Sequence, residues 1–170
     1  MPAMHNIRLM TQADIPAALA LQAECYGIGM NESEAVFRSR LDAAPDSAWL
    51  ATDAQGALAY LVGYRSRLGK LTLLGDTFTP AAMPDCLYLH DLAVSPRAQG
   101  SGLARGLLLH AWSLAQREGL AYSALVSVQD SQRFWRKLGY EVWESLTADE
   151  LAKLSSYTGP SYYMVRQLIT

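Results

Sequence analysis

The run from Leu87 to Ala104 most constrains how this chain can fold. Tyr88 to Val94 is apolar and β-prone except at His90 and Asp91, Pro96 stops the strand, and from Gly102 apolar residues recur at helical spacing. Strand, glycine-rich loop and helix in that order make an anion site. Gly100 and Gly102 carry no side chain to hold a phosphate away from the backbone N–H groups, and the helix N-terminus adds its partial positive charge.

Two kinds of anion site fit such a loop. Gly100-x-Gly102-x-x-x-Gly106 matches a relaxed dinucleotide-binding fingerprint, but that motif belongs in the first βα turn of its domain, with an acidic residue about 20 residues on. Here about half the chain precedes the loop, and the strand from Ser123 to Val128 meets no acid until Asp130. The alternative rests on two motifs. Gln99-Gly100-Ser101-Gly102-Leu103-Ala104 resembles the acetyl-CoA loop, Gln/Arg-x-x-Gly-x-Gly/Ala, of the GCN5-related N-acetyltransferase (GNAT) superfamily. Phe134-Trp135-Arg136-Lys137-Leu138-Gly139-Tyr140, roughly 30 residues on, resembles that superfamily's second signature. The resemblance spans residues 87 to 143. Within it, Leu89 to Val94 is similar to the arylalkylamine (serotonin) N-acetyltransferases, whose strand carries a His-x-His pair; His90 matches the second histidine, and Tyr88 stands where the first would be.

The resemblance implies one domain over residues 1–170. It would be a mixed α/β fold with a mostly antiparallel sheet of about seven strands, a central parallel pair and helices on both faces. It implies acetyl-CoA as co-substrate, no metal, and transfer of the acetyl group to a primary amine of a small molecule. A peptide or protein N-terminus as acceptor, or an acyl-CoA sensor without turnover, are the alternatives. The backbone at Leu92, Ala93 and Val94 would meet the thioester and pantetheine. Arg97, Gln99, Gly100, Ser101, Gly102, Leu103 and Ala104 would meet the phosphates, and Ser131 and Trp135 would flank the CoA arm.

Acetyl transfer to an amine needs a neutral nitrogen, and an alkylammonium with a pKa of about 10 is mostly protonated at neutral pH. A histidine suits that proton, so His90 is the candidate base, with Tyr88 on an alternative proton path. Strand alternation places His90 on the face of Leu92 and Asp91 on the opposite one, where it would tie down a loop or helix N-terminus. His90 also reads as an ordinary strand histidine bonded to a neighbour. At the second motif the superfamily usually has a tyrosine that can protonate the leaving thiolate; Trp135 cannot give up its indole proton, so it packs beside the CoA arm or leaves protonation to another group. Tyr157, Tyr162 and Tyr163 fall in the segment that shapes the acceptor pocket of the resembled superfamily.

The rest of the chain fits this frame. With 51% hydrophobic residues it can bury a core, and a net charge of −2 without a block of like charge excludes a nucleic-acid or anionic-membrane surface. The longest apolar run, Ala57 to Tyr64, is too short to span a bilayer, so a cytoplasmic monomer or homodimer is expected. Cys25 and Cys86 lie far apart and read as buried thiols. Ile7 to Met10 reads as a strand. A capped helix then runs to about Tyr26, ended by Gly27 and Gly29, and a second helix capped by Asn31 or Ser33 carries Phe37 and Leu41 beside basic Arg38 and Arg40. Ala48–Thr52 and Ala57–Arg67 form a hairpin, Gly75 to Asp85 a loop able to cover substrate, and Leu103 to Ala115 the long helix. Tyr122–Val128, Tyr140–Trp143 and Ser161–Leu168 are further strands, with helices over Ser131–Leu138 and after Thr147.

Overall fold

A computed structural model describes residues 5–26 and 30–170, so the proposed helix stops at Gly27 and Gly29 lie outside the described residues. β1 (Asn6–Leu9) leads through a tight turn into α1 (Ile15–Cys25). The Asp14 carboxylate caps that turn by accepting from the Thr11 N–H at 2.8 Å while Arg8 pairs with it at 2.7 Å, and Pro16 sits in the first turn of α1, where its missing N–H costs nothing. α2 (Glu34–Ala43) starts at Ser33, whose hydroxyl accepts from the Val36 N–H. β2 (Ala48–Asp53), β3 (Gly56–Ser66) and β4 (Cys86–Val94) follow as antiparallel neighbours, then α3 (Leu103–Arg117), β5 (Tyr122–Ser127), α4 (Gln132–Lys137), β6 (Glu141–Val142), α5 (Ala148–Ser155) and β7 (Tyr162–Gln167).

Among the described residues seven strands lie in the order β1-β2-β3-β4-β5-β7-β6, and of the neighbouring pairs only β4 and β5 run parallel. This is the mixed GNAT-type sheet that the motifs imply. Alternation along the strands splits the core in two. On one face Leu50, Tyr60, Tyr64, Tyr88 and Tyr163 pack under α1 and α2; on the other Trp49, Leu61, Leu87, Leu89, Leu125 and Met164 pack under α3 and α4. The buried stripe of α3 includes Trp112, whose indole N–H donates to Tyr140 at 2.9 Å.

One charge sits where the apolar stripe of α2 should be. Arg40 is 2% exposed beside Phe37 and Leu41, not on the solvated side. Residues 67–85, between β3 and β4, hold no helix or strand yet are anchored to the core through buried Leu71 and Phe78.

Candidate functional site

The site is built on an irregularity in β4. Asp91 pairs with Val62, but the next position of β3, Gly63, pairs with Leu89, so His90 is an extra residue in β4. Gly63 is what lets the strands meet there, because a Cβ at that position would lie 2.3 Å from the Tyr88 carbonyl oxygen. The bulge breaks alternation. His90 and Asp91 both turn to the α1/α2 face, His90 to Glu32 and Asp91 to the hydroxyl of Tyr60, while Leu92 packs with the opposite core. The expectation that His90 shares a face with Leu92 and that Asp91 points the other way is therefore corrected: it assumed a regular strand.

Beyond the bulge the sheet opens. β5 pairs with β4 only from Cys86 to Leu89, and past that point a cleft of about 610 Å³ takes the place of the neighbouring strand. Peptide groups alternate in direction along a strand. Ser95 donates its N–H to Leu58 of β3, so Ala93 and Asp91 also face β3 whereas Leu92 and Val94 face the cleft. Their carbonyls accept from the end of α1, Leu92 from the Tyr26 hydroxyl at 2.7 Å and Val94 from the Cys25 thiol at 3.2 Å. Their N–H groups have no backbone partner among the described residues.

The cleft continues to the glycine loop. Gly102, at φ +81°, is the N-cap of α3, and Gly102 to Arg105 line the cleft with the unpaired N–H groups of a first helical turn. A Cβ on Gly100 or Gly102 would meet nothing within 4 Å, which leaves that space to a ligand. Gln99 and Ser131 also line the cleft, and Trp135 forms its wall, 8% exposed and edge-on to Tyr140. Other residues named from the sequence lie elsewhere. Arg97 pairs with Asp53 at the β2–β3 turn, the Ser101 hydroxyl bonds back to Ala98, and neither lines the cleft. Tyr88 is 1% exposed in the α1/α2 core, with its hydroxyl accepting from the Thr72 N–H. Tyr163 is buried, Tyr162 is on the surface, and Tyr157 lines a smaller chamber beside the cleft.

That chamber, of about 40 Å³, holds the polar groups. Glu32, 3% exposed, receives both terminal nitrogens of Arg40 at 2.6 Å, the Gly75 N–H at 2.6 Å and His90 Nε2 at 3.1 Å. Burial alone would raise the Glu32 carboxyl, but the hydrogen bonds from His90 and Arg40 outweigh it and bring its pKa down to about 2. An ionised carboxylate only accepts, so Nε2 of His90 carries the hydrogen and Nδ1 is the basic nitrogen of the neutral ring. That Nδ1 is buried without a hydrogen-bond partner among the described residues. Asp91 differs: burial raises its carboxyl, against the lowering hydrogen bond from Tyr60 at 2.6 Å. Cys25 is half-buried on the cleft wall, not a core thiol like Cys86, and burial raises its pKa.

The sequence profile of the acetyltransferase (GNAT) family matches residues 16–140, which takes in α1, the bulged strand, the glycine loop and Trp135. The chain belongs to the GNAT family. No curated protein sequence matches it, but solved GNAT-fold structures superpose along its whole length. Ard1 from Thermoplasma volcanium is 16% identical with a TM-score of 0.72, covering 98% of this chain and 99% of that one. The ribosomal-protein-S18-alanine N-acetyltransferase from Escherichia coli is 18% identical with a TM-score of 0.69, covering 98% and 96%. N-acetylglutamate synthase from Neisseria gonorrhoeae, solved with coenzyme A and N-acetyl-glutamate, is 23% identical with a TM-score of 0.69, covering all of this chain and 36% of that one. These likenesses establish the GNAT fold. No helix among the described residues is long and apolar enough to cross a membrane.

Sequence reading missed Glu32, Arg40, Tyr26 and Gln129 in this GNAT site. Arg40 carried a readable signal, since a charge three residues after Phe37 and one before Leu41 falls on a buried stripe and requires a partner. Gln129, on the cleft wall at φ +55° and followed by Asp130 at +57°, carried none, because glycine is the usual residue for that conformation.

Proposed function

We propose that this protein transfers an acetyl group from acetyl-CoA to a primary amine of a small molecule. The observation that carries the reading is the open half of β4, with two cleft-facing N–H groups leading straight to the glycine loop at the start of α3. Pantetheine carries amides that pair with such groups as a strand would, and the pyrophosphate suits the helix N-terminus. The Leu92 N–H is the donor for the thioester carbonyl, Gly100, Gly102, Leu103 and Ala104 hold the phosphates, and Trp135 packs on the CoA arm. Acetyl-CoA supplies an activated acyl group; the chain supplies its position and takes up the amine's proton.

His90 takes that proton through Nδ1. The ring is clamped at Nε2 by Glu32, and its unpartnered nitrogen belongs to a side chain that lines both cleft and chamber. Tyr88, shut in the core, then has no direct part in proton transfer. A peptide acceptor is the second reading, favoured by the printed names of two structural neighbours, an Ard1 and a protein-alanine acetyltransferase.

The test is a panel of amines and short peptides, each with acetyl-CoA, read as release of the CoA thiol. Release with simple amines supports the proposal and release only with peptides supports the second reading. Binding of acetyl-CoA without release from any acceptor would make the protein a sensor.

A further inference from the structure

Five residues, Tyr26, His90, Asp91, Val126 and Val128, line both the cleft and the small chamber, so the two spaces adjoin where the thioester would end. The carboxylates there are unequally matched. Glu32 is neutralised by Arg40, whereas Asp91 has no lysine or arginine partner among the described residues. Asp91 is nonetheless part of the lining, and its neighbours are the Tyr60 and Tyr26 phenols, the Cys25 thiol, Glu32 and His90. Asp91 is partly shielded from water; a carboxylate so placed without a counter-cation is costly, and one kept at the mouth of a chamber calls for a cation from outside. A second observation agrees: the His90 side chain is 2% exposed and its Nδ1 has no hydrogen-bond partner among the described residues. A primary ammonium, with three N–H donors, serves both groups.

We infer that Asp91 is the acceptor-binding residue, holding an alkylammonium whose nitrogen sits on an unbranched carbon. The chamber sets the branching limit. Its volume of 40 Å³ has room for about three water-sized groups, a nitrogen and two carbons, between the walls of Leu74, Val126 and Tyr157. A peptide N-terminus other than glycine branches at its first carbon and would be crowded between these walls.

The inference rests on the acetyl-transfer reading. In that step the ammonium gives one proton to His90 Nδ1, and the freed lone pair forms the C–N bond at the thioester carbon. The C–S bond breaks with its electron pair on sulfur, and the second proton on nitrogen passes to that sulfur. Amide and CoA thiol leave, and His90 returns its proton to solvent. Asp91 keeps its charge throughout, which makes it a recognition group and not the base.

Steady-state kinetics of the Asp91→Asn variant, with ethylamine and with O-methylhydroxylamine, separate these roles. The two acceptors have the same number of heavy atoms, but only ethylamine is an ammonium at neutral pH. The KM for ethylamine should rise about tenfold or more, the loss expected for one charge-assisted hydrogen bond, with the KM for O-methylhydroxylamine and for acetyl-CoA unchanged. His90→Gln should instead lower kcat for ethylamine, whose first proton it takes, and leave kcat for the neutral acceptor little changed. Equal effects of Asp91→Asn on the two amines, or none, would overturn the assignment while leaving acetyl transfer intact; no turnover of any amine by the wild type would remove both. Should the variant fail to bind acetyl-CoA, Tyr60→Phe carries the test. Losing that hydroxyl raises the Asp91 carboxyl further, so the KM for ethylamine should begin to climb at a higher pH than in wild type as pH is lowered. An unchanged profile would count against Asp91.

Discussion

Between Cys86 and Leu89, β4 has a hydrogen-bonded strand on each side; from Asp91 to Val94 it has β3 on one side and the cleft on the other. The first half is sealed core, with none of its four residues more than 3% exposed. The second half, with the inserted His90 at its start, carries two polar side chains on one face and peptide groups turned to a gap. One inserted residue separates them. A regular strand would have sent His90 and Asp91 to opposite faces and left no place where a thioester, an acceptor nitrogen and a proton acceptor meet. Incompleteness of the sheet, a liability at an edge, is here what makes room for a ligand that completes it.

The comparison breaks most sharply at Gly63. Gly63→Ala puts a methyl group against the Tyr88 carbonyl, which is backbone and cannot turn aside, so β3 must leave β4 at the bulge. A loss of about 4 kcal/mol in unfolding free energy is expected from denaturant titration. Wild-type stability in that variant would mean that the bulge is plastic.

Glu32→Gln comes next, because it leaves the buried Arg40 guanidinium without its counter-charge, at a cost of about 3 kcal/mol. The same residue sets an acid limit. Its carboxyl is depressed from 4.5 to about 2, so its contribution is complete above the higher value and lost as pH falls through the lower. At about 1.4 kcal/mol per unit this is again about 3 kcal/mol. Wild-type stability should fall steeply between those two values, and Glu32→Gln should remove most of that slope. Asp91, raised by burial, has the opposite sign: it weighs against the fold at neutral pH and is relieved as it protonates.

How much of this was legible from the chain follows from the range over which each feature is determined. Helix starts at Ser33 and Thr147 are set by a hydroxyl and an N–H three residues on, and both stand where the sequence places them. The glycine loop is likewise local, since Gly102 needs its positive φ whatever surrounds it. The bulge is not local. It depends on a glycine in the preceding strand, and nothing in Leu89-His90-Asp91 announces it, so the faces of His90 and Asp91 were misread. Glu32 was missed for the same reason: its partners come from α2, β4 and the loop at Gly75, three separate stretches.

Smaller effects sharpen the account of the open half. Gly102→Val forces a β-branched residue to φ +81° and fills space next to the first N–H groups of α3. Acetyl-CoA affinity should fall about 30-fold by calorimetry, equivalent to about 2 kcal/mol. Undiminished binding would place the phosphates elsewhere. Trp135→Tyr removes indole bulk from the cleft wall. Its expected signature is an acetyl-CoA KM raised about tenfold at similar kcat, whereas a several-fold rise in kcat would mean that protonation of the leaving sulfur limits the rate.

The open half of β4 is tested most directly by amide hydrogen exchange along that strand, resolved by residue, with and without acetyl-CoA. Leu87 and Leu89 should be protected in both states, and the Leu92 and Val94 amides should exchange readily in the free protein and become protected when acetyl-CoA is added. Leu92 and Val94 amides that are already protected in the free protein, or that stay unprotected when acetyl-CoA is bound, would contradict the account.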